Sequence, residues 1–190
     1  MARPTAGKKR KVRILSSRTV YRGPVFHVTS DQVREPSGVT VRRDMVRHSG
    51  SVVVMPVDDR GREPRVLLVR QYRHAAAKDL WELTAGRIDP GEEPLAGAKR
   101  ELEEETGLSA RHWKRILFFY SSPGFLDETM AVYLATGLTQ GKARPEEDEF
   151  ISKRFFPLSA AVRMVISGRI QDGKTIAGVL WLAQQRKRRR

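Results

Sequence analysis

The sequence predicts a mixed α/β fold, of the α+β kind with a mixed sheet, and three observations carry that prediction. Runs of β-branched and aromatic residues recur at 51–57, 65–72, 116–122 and 129–136. Segments with helix-forming composition lie at 95–106, 159–168 and 173–185. No internal repeat interrupts the alternation, so strands and helices are expected to layer around a shared core. A chain of 190 residues has room for one good-sized domain with a small appendage.

Each element has its own signal. Residues 14–30 hold short apolar runs broken by Gly23-Pro24, and VTVRRDMVR at 39–47 follows the turn-forming Pro36-Ser37-Gly38. Together they read as a small N-terminal β module over 14–48. SVVVMPV at 51–57 is a buried strand, DDRG at 58–61 a turn, and RVLLVRQY at 65–72 its hairpin partner. LWELTAG at 80–86 leads into a helix. Asp89-Pro90-Gly91 makes the turn before it, Pro94 suits its first turn, and Gly107 ends it. Leu95, Ala98 and Leu102 are spaced to form its buried stripe. ILFFYSS and TMAVYLAT read as strands around the loop at 123–128, followed by a polar loop at 139–150. ISKRFFP at 151–157 is the last strand, and two helices close the domain over 49–185.

The helix at 94–106 carries the chemistry. Glu101 and Glu105 are four residues apart and lie one turn above each other, with Glu104 flanking the same edge. Such like charges repel, by roughly 0.2–0.5 kcal/mol per pair. A divalent cation converts that repulsion into coordination. Mg²⁺ takes carboxylate oxygens, keeps waters and accepts substrate phosphates as further ligands. Arg100 stands beside Glu104 and can orient the carboxylates.

Around this helix Gly86, Glu92, Arg100, Glu101, Leu102, Glu104, Glu105, Gly107 and Leu108 fall at the spacing G-x5-E-x7-R-E-U-x-E-E-x-G-U, where U is a bulky aliphatic residue. The match has no exception, and it resembles the signature of the Nudix hydrolases, enzymes that cleave nucleoside diphosphates linked to another group. The resemblance implies an αβα sandwich. It also implies metal ligation by Glu101, Glu104, Glu105 and the carbonyl of Ala85, with Mg²⁺ as the ion and Mn²⁺ as the alternative. Glu92 is implied as a structural ligand or salt-bridge partner.

Features outside the signature resemble the ADP-ribose pyrophosphatase subgroup. Pro123 lies sixteen residues beyond Gly107 within SPGFLDE, RQYR occupies 70–73, and LWELTAG precedes the box. The implied reaction is hydrolysis of ADP-ribose to AMP and ribose 5-phosphate. Arg70 and Arg73 can each clamp phosphate oxygens. Strand alternation puts them on opposite faces, so one faces the site, and the resemblance favours Arg73, with Glu82 accepting a ribose hydroxyl. Gly86, Pro123, Gly124 and Phe125 are implied to border the substrate. The subgroup takes its catalytic base from a loop after the box, which puts Glu147 or Glu149 in that role, with Arg100 supporting the catalytic carboxylates. The subgroup also implies a homodimer assembled through the N-terminal module. GDP-mannose or another nucleotide sugar is the alternative substrate for the same chemistry.

Charge and composition bound the rest. The net charge is +14. Arg3, Lys8, Lys9, Arg10, Lys11 and Arg13 gather in a basic tail at 1–13, and Arg186, Lys187, Arg188, Arg189 and Arg190 in another at 186–190. Disorder is expected of these ends, which suit weak nonspecific contact with nucleic acid. A protein acting on nucleic acid through them is a separate reading. No stretch is long and apolar enough for a bilayer, no signal peptide is visible, and there is no cysteine. A cytoplasmic protein that does not engage membranes is expected.

Overall fold

Strand β4 (Ser51–Asp58) buries its first seven residues, because it has helices on both of its faces. Val52 and Val54 point into one hydrophobic cluster, and Val53, Met55 and Val57 into another. That period-two split is what a central strand requires, and it explains why SVVVMPV is uniformly apolar rather than alternating. The computed structural model describes residues 11–141 and 152–188. The chain divides into two units. Ser122–Glu128 joins the residues up to His48 in the first, and Ser49–Ser121 with the residues from Thr129 onward makes the second.

The first unit is an antiparallel sheet of β1 (Arg13–Arg22), β2 (His27–Arg34) and β3 (Thr40–Arg47), in that order. Asp31 is buried in its middle strand. Its carboxylate accepts from Ser17 Oγ at 2.6 Å and from Arg47 Nη2 at 2.6 Å. The Ser17 hydroxyl, helped by Thr29 and Arg47, holds Asp31 below the usual carboxylate range against the opposing effect of burial. The segment Ser122–Glu128 is tied to β3: Val46 N donates to Phe125 O at 2.7 Å, and Asp127 N to Val46 O at 3.1 Å.

The second unit is built on a seven-stranded sheet. Besides β4 it contains β5 (Arg65–Arg73), β6 (Lys78–Glu82), β7 (Thr84–Arg87), β8 (Leu108–Tyr120), β9 (Thr129–Gln140) and β10 (Ser152–Pro157). The main order is β10-β5-β4-β9-β8, with β6 paired to β5 and β7 to β4. The β4–β9 pair is parallel and the other pairs are antiparallel, so the sheet is mixed. Helix α1 (Pro94–Thr106) covers the cluster containing Val52, Val54, Ala98 and Leu102. Helices α2 (Leu158–Ile166) and α3 (Gly173–Lys187) cover the other, through Ala161, Met164, Val179 and Leu182. The result is helix, sheet, helix. Each fully buried Val or Leu in these layers contributes roughly 1.5–3 kcal/mol relative to exposure.

Two expectations need correction. Strands β8 and β9 are longer than the apolar runs that announced them. The buried stripe of α1 also differs: Leu95 is 37% exposed, while Gly97, Ala98, Leu102, Glu105 and Thr106 are buried. The helix is rotated so that one acidic side chain, Glu105, goes inward. Its ends do follow the sequence. Pro94 sits in the first turn, and Gly107 closes the helix at φ 67°, its N–H donating to Glu103 O at 2.7 Å.

Candidate functional site

Helix α1 and strand β7 form the site, and a glycine sets how close they come. A Cβ placed on Gly86 would fall inside the carboxylate of Glu101. Only glycine therefore lets that carboxylate lie against the backbone that follows Ala85. Glu92 has a similar cradle, since a Cβ on Gly97 would lie 2.8 Å from its Oε2. The turn before the helix is closed by Glu92 N donating to Asp89 O at 3.0 Å, with Gly91 at φ 79°.

Arg100 gathers the acids. Its Nε and Nη2 donate to the two oxygens of Glu92, each at 3.0 Å. Nη1 donates to Glu101 Oε1 at 2.7 Å and to Glu104 Oε2 at 3.0 Å. Nη2 also reaches Arg87 O at 3.1 Å. These carboxylates raise the Arg100 pKa above its ordinary value, Glu92 most of all. The same contact from Arg100 holds Glu92 below the usual carboxylate range. Planar, bidentate guanidinium geometry makes this possible where lysine would not.

The three box acids differ in surroundings. The Glu104 side chain is 42% exposed, that of Glu101 is 13%, and Glu105 is buried. Among the described residues no group of three or more His, Cys, Asp or Glu side chains stands ready to hold a metal ion. Arg100 instead donates to Glu101 and Glu104, as a cation would pair with them. The donor set nevertheless fits a hard divalent ion, because it offers carboxylate oxygens on adjacent turns of one helix. The opening at Gly86 also keeps Glu101 against the backbone next to the Ala85 carbonyl.

A second, buried group of charges stands behind the first. Arg73, at the end of β5, donates from Nε and Nη2 to the two oxygens of Glu82, each at 2.9 Å. Lys174 Nζ donates to Glu82 Oε2 at 2.5 Å and to Asp172 Oδ1 at 2.9 Å. Asp172 caps α3, accepting from Thr175 N at 3.0 Å, and Thr175 Oγ1 in turn accepts from Leu83 N at 2.7 Å. Burial alone would push Glu82 up, yet hydrogen bonds and charge from Arg73 and Lys174 hold it below the usual carboxylate range. Arg73 is raised, chiefly by Glu82, and it also feels the charge of Glu105. Its side chain remains 40% exposed while Glu82 is 2% exposed.

The expectation that Glu82 accepts a ribose hydroxyl does not suit this arrangement. Its carboxylate faces inward, and both oxygens are engaged. Arg70 is also accounted for: it pairs with Asp79 at 3.1 Å on the exposed side of the strand. Pro123, Gly124 and Phe125 lie in the first unit, where Phe125 is 54% exposed. Glu147 and Glu149 lie outside the described residues. Sequence reasoning did not find Lys174, although it is the only charged residue in the otherwise uncharged stretch 173–185. It also missed Lys153, whose Nζ donates to Thr106 O at the C-terminal end of α1.

Comparisons with known proteins bear on the family and the fold. A family model described as the NUDIX domain matches residues 47–178. The chain is 43% identical over 170 residues to an ADP-ribose pyrophosphatase of Mycobacterium tuberculosis, covering 87% of this chain and 80% of that protein. It is 35% identical over 181 residues to a methanol dehydrogenase activator of Bacillus methanolicus, covering 94% and 96%. A crystal structure of an ADP compounds hydrolase superposes with a TM-score of 0.80 at 23% identity, over 97% of this chain and 98% of that one. That likeness shows the shared fold.

Proposed function

This chain belongs to the Nudix family, and on that premise we propose that it hydrolyses the diphosphate bond of ADP-ribose to AMP and ribose 5-phosphate. The observation that carries the reading is the relation to the mycobacterial ADP-ribose pyrophosphatase at 43% identity, in a chain whose box acids meet at Arg100.

In this reading Glu101, Glu104, Glu105 and the Ala85 carbonyl would hold Mg²⁺, with Mn²⁺ as a substitute. The ion supplies charge neutralisation of the diphosphate and a lowered pKa for bound water. Arg100 holds the carboxylates of Glu101 and Glu104 together through Nη1 and is itself anchored by Glu92, which takes its Nε and Nη2. Arg73 presents its remaining N–H groups to a phosphate oxygen, since Glu82 occupies only the Nε–Nη2 edge. Glu82 and Lys174 position Arg73 and do not touch substrate. Glu147 or Glu149 takes the proton from the attacking water.

The test is release of AMP from ADP-ribose with Mg²⁺, run beside GDP-mannose, NADH and CDP-choline. A kcat/KM for ADP-ribose at least tenfold above each competitor is expected. Preference for GDP-mannose would replace the substrate and keep the chemistry. No hydrolysis of any diphosphate would reject the reading.

A further inference from the structure

Four cations near the far end of α3 have no ion-pair partner among the described residues. They are Arg62, Lys114, Arg186 and Lys187, and they line two adjoining cavities that share Pro64 and Arg186 as walls. The larger has a volume of about 770 Å³. Its floor is apolar, formed by Pro64, Leu158 and Val162. The smaller is walled by Trp181, which is partly exposed and packs its other side on the core. Two acids border the groove. Glu63 accepts from the Ser159 N–H at 2.7 Å, and Asp59 lies at the far end.

The groove is separate from the box. It lies with α2 and α3 on one side of the sheet, whereas α1 covers the other. Along α3, Arg186 is twelve residues from Lys174, or roughly 18 Å at 1.5 Å per residue. None of the four cations takes part in the Arg100 or Glu82 networks.

We propose that this groove is a second binding site, for single-stranded nucleic acid, with the four cations on its phosphates and a base against Trp181. Cations leading into an apolar cleft with an aromatic wall are what a phosphate backbone with stacking bases requires. Phosphate pairing alone would suit any polyanion, and Trp181 is the feature that selects a base. Self-association through this face is disfavoured, because a two-fold contact would set Arg62, Arg186 and Lys187 against their own copies.

The experiment titrates the full chain against a fluorescein-labelled twelve-residue oligouridylate at several salt concentrations, following anisotropy. The comparison protein carries Arg62→Glu, Arg186→Glu and Lys187→Glu. Binding should weaken at least tenfold in that variant. The slope of log K against log salt should fall by about two, as loss of three phosphate contacts on a single strand demands. Hydrolysis of ADP-ribose should not change, so failure here is distinct from failure of the catalytic reading. A second variant, Trp181→Leu, should weaken binding several-fold with the salt slope intact, its folding checked by thermal unfolding. The proposal is overturned if the parent chain does not bind, or if the triple variant binds like the parent while deletion of residues 1–13 abolishes binding. Equal affinity for polyglutamate, or a changed oligomeric mass in the triple variant, would also overturn it.

Discussion

At Gly86 one methyl group is enough to displace the carboxylate of Glu101, because no space exists between them. Gly86→Ala should therefore cost about 100-fold in kcat for ADP-ribose, the scale expected when a catalytic group moves by about an ångström. The far-ultraviolet circular dichroism should be unchanged. Wild-type kcat in a folded Gly86→Ala protein would remove Glu101 from its proposed role. Glu92 offers a different test, in stability rather than rate. Arg100 holds its folded pKa below the ordinary glutamate value of 4.5. The stabilisation is therefore complete above that value and is lost as pH falls through the lower folded one. Urea midpoints measured downward from pH 7 should fall less steeply below about pH 4.5 in Glu92→Gln than in the parent. Parallel curves would mean that the Arg100 contact is not maintained in solution.

Helix α3 is fixed to the sheet by polar groups as much as by its apolar face. Lys174 reaches Glu82 across 92 residues of sequence, and Thr175 satisfies Leu83 N across the same interval. Lys174→Met leaves Glu82 with Arg73 as its only cation, which should cost about 3 kcal/mol in unfolding free energy. The KM for ADP-ribose should rise more than kcat falls, because Arg73 loses its fixed bearing. A purely structural role would lower stability and leave that ratio alone. These long-range pairs also show where the sequence stops being legible. Strand β4 and helix α1 could be read locally, from a β-branched run and from Pro94 and Gly107 at the ends. The first half of β8 could not, since LSARHWKR is largely polar. It is the edge strand of its sheet, its outward residues answer to solvent, and a register shift near Ile116 breaks the alternation. In the site, the spacing of the box acids was visible, whereas the orientation of Glu82 was not. A glutamate in a strand declares nothing about which cations fold over it, and that decides whether it faces substrate or core.

Among the described residues, the outer strand of the N-terminal sheet leaves a surface that a solitary chain has no physical reason to keep. Every residue of β1 is exposed, and β1 is an outer strand of the N-terminal sheet. Ile14 is 62% exposed, Leu15 46%, Val20 48% and Tyr21 52%. A long edge strand with apolar side chains is a template for association unless it is covered, and a second copy of the same strand is the cover that closed symmetry supplies. The N-terminal sheet is thereby proposed as the seam of a homodimer. Light scattering after size exclusion at micromolar concentration should give twice the chain mass. The double variant Ile14→Lys and Val20→Lys places four like charges in a two-fold seam and should give the single-chain mass, with the thermal unfolding of the Nudix domain still cooperative. A parent chain that elutes as a monomer would leave β1 without its proposed cover. A double variant that remains dimeric would move the seam to another face.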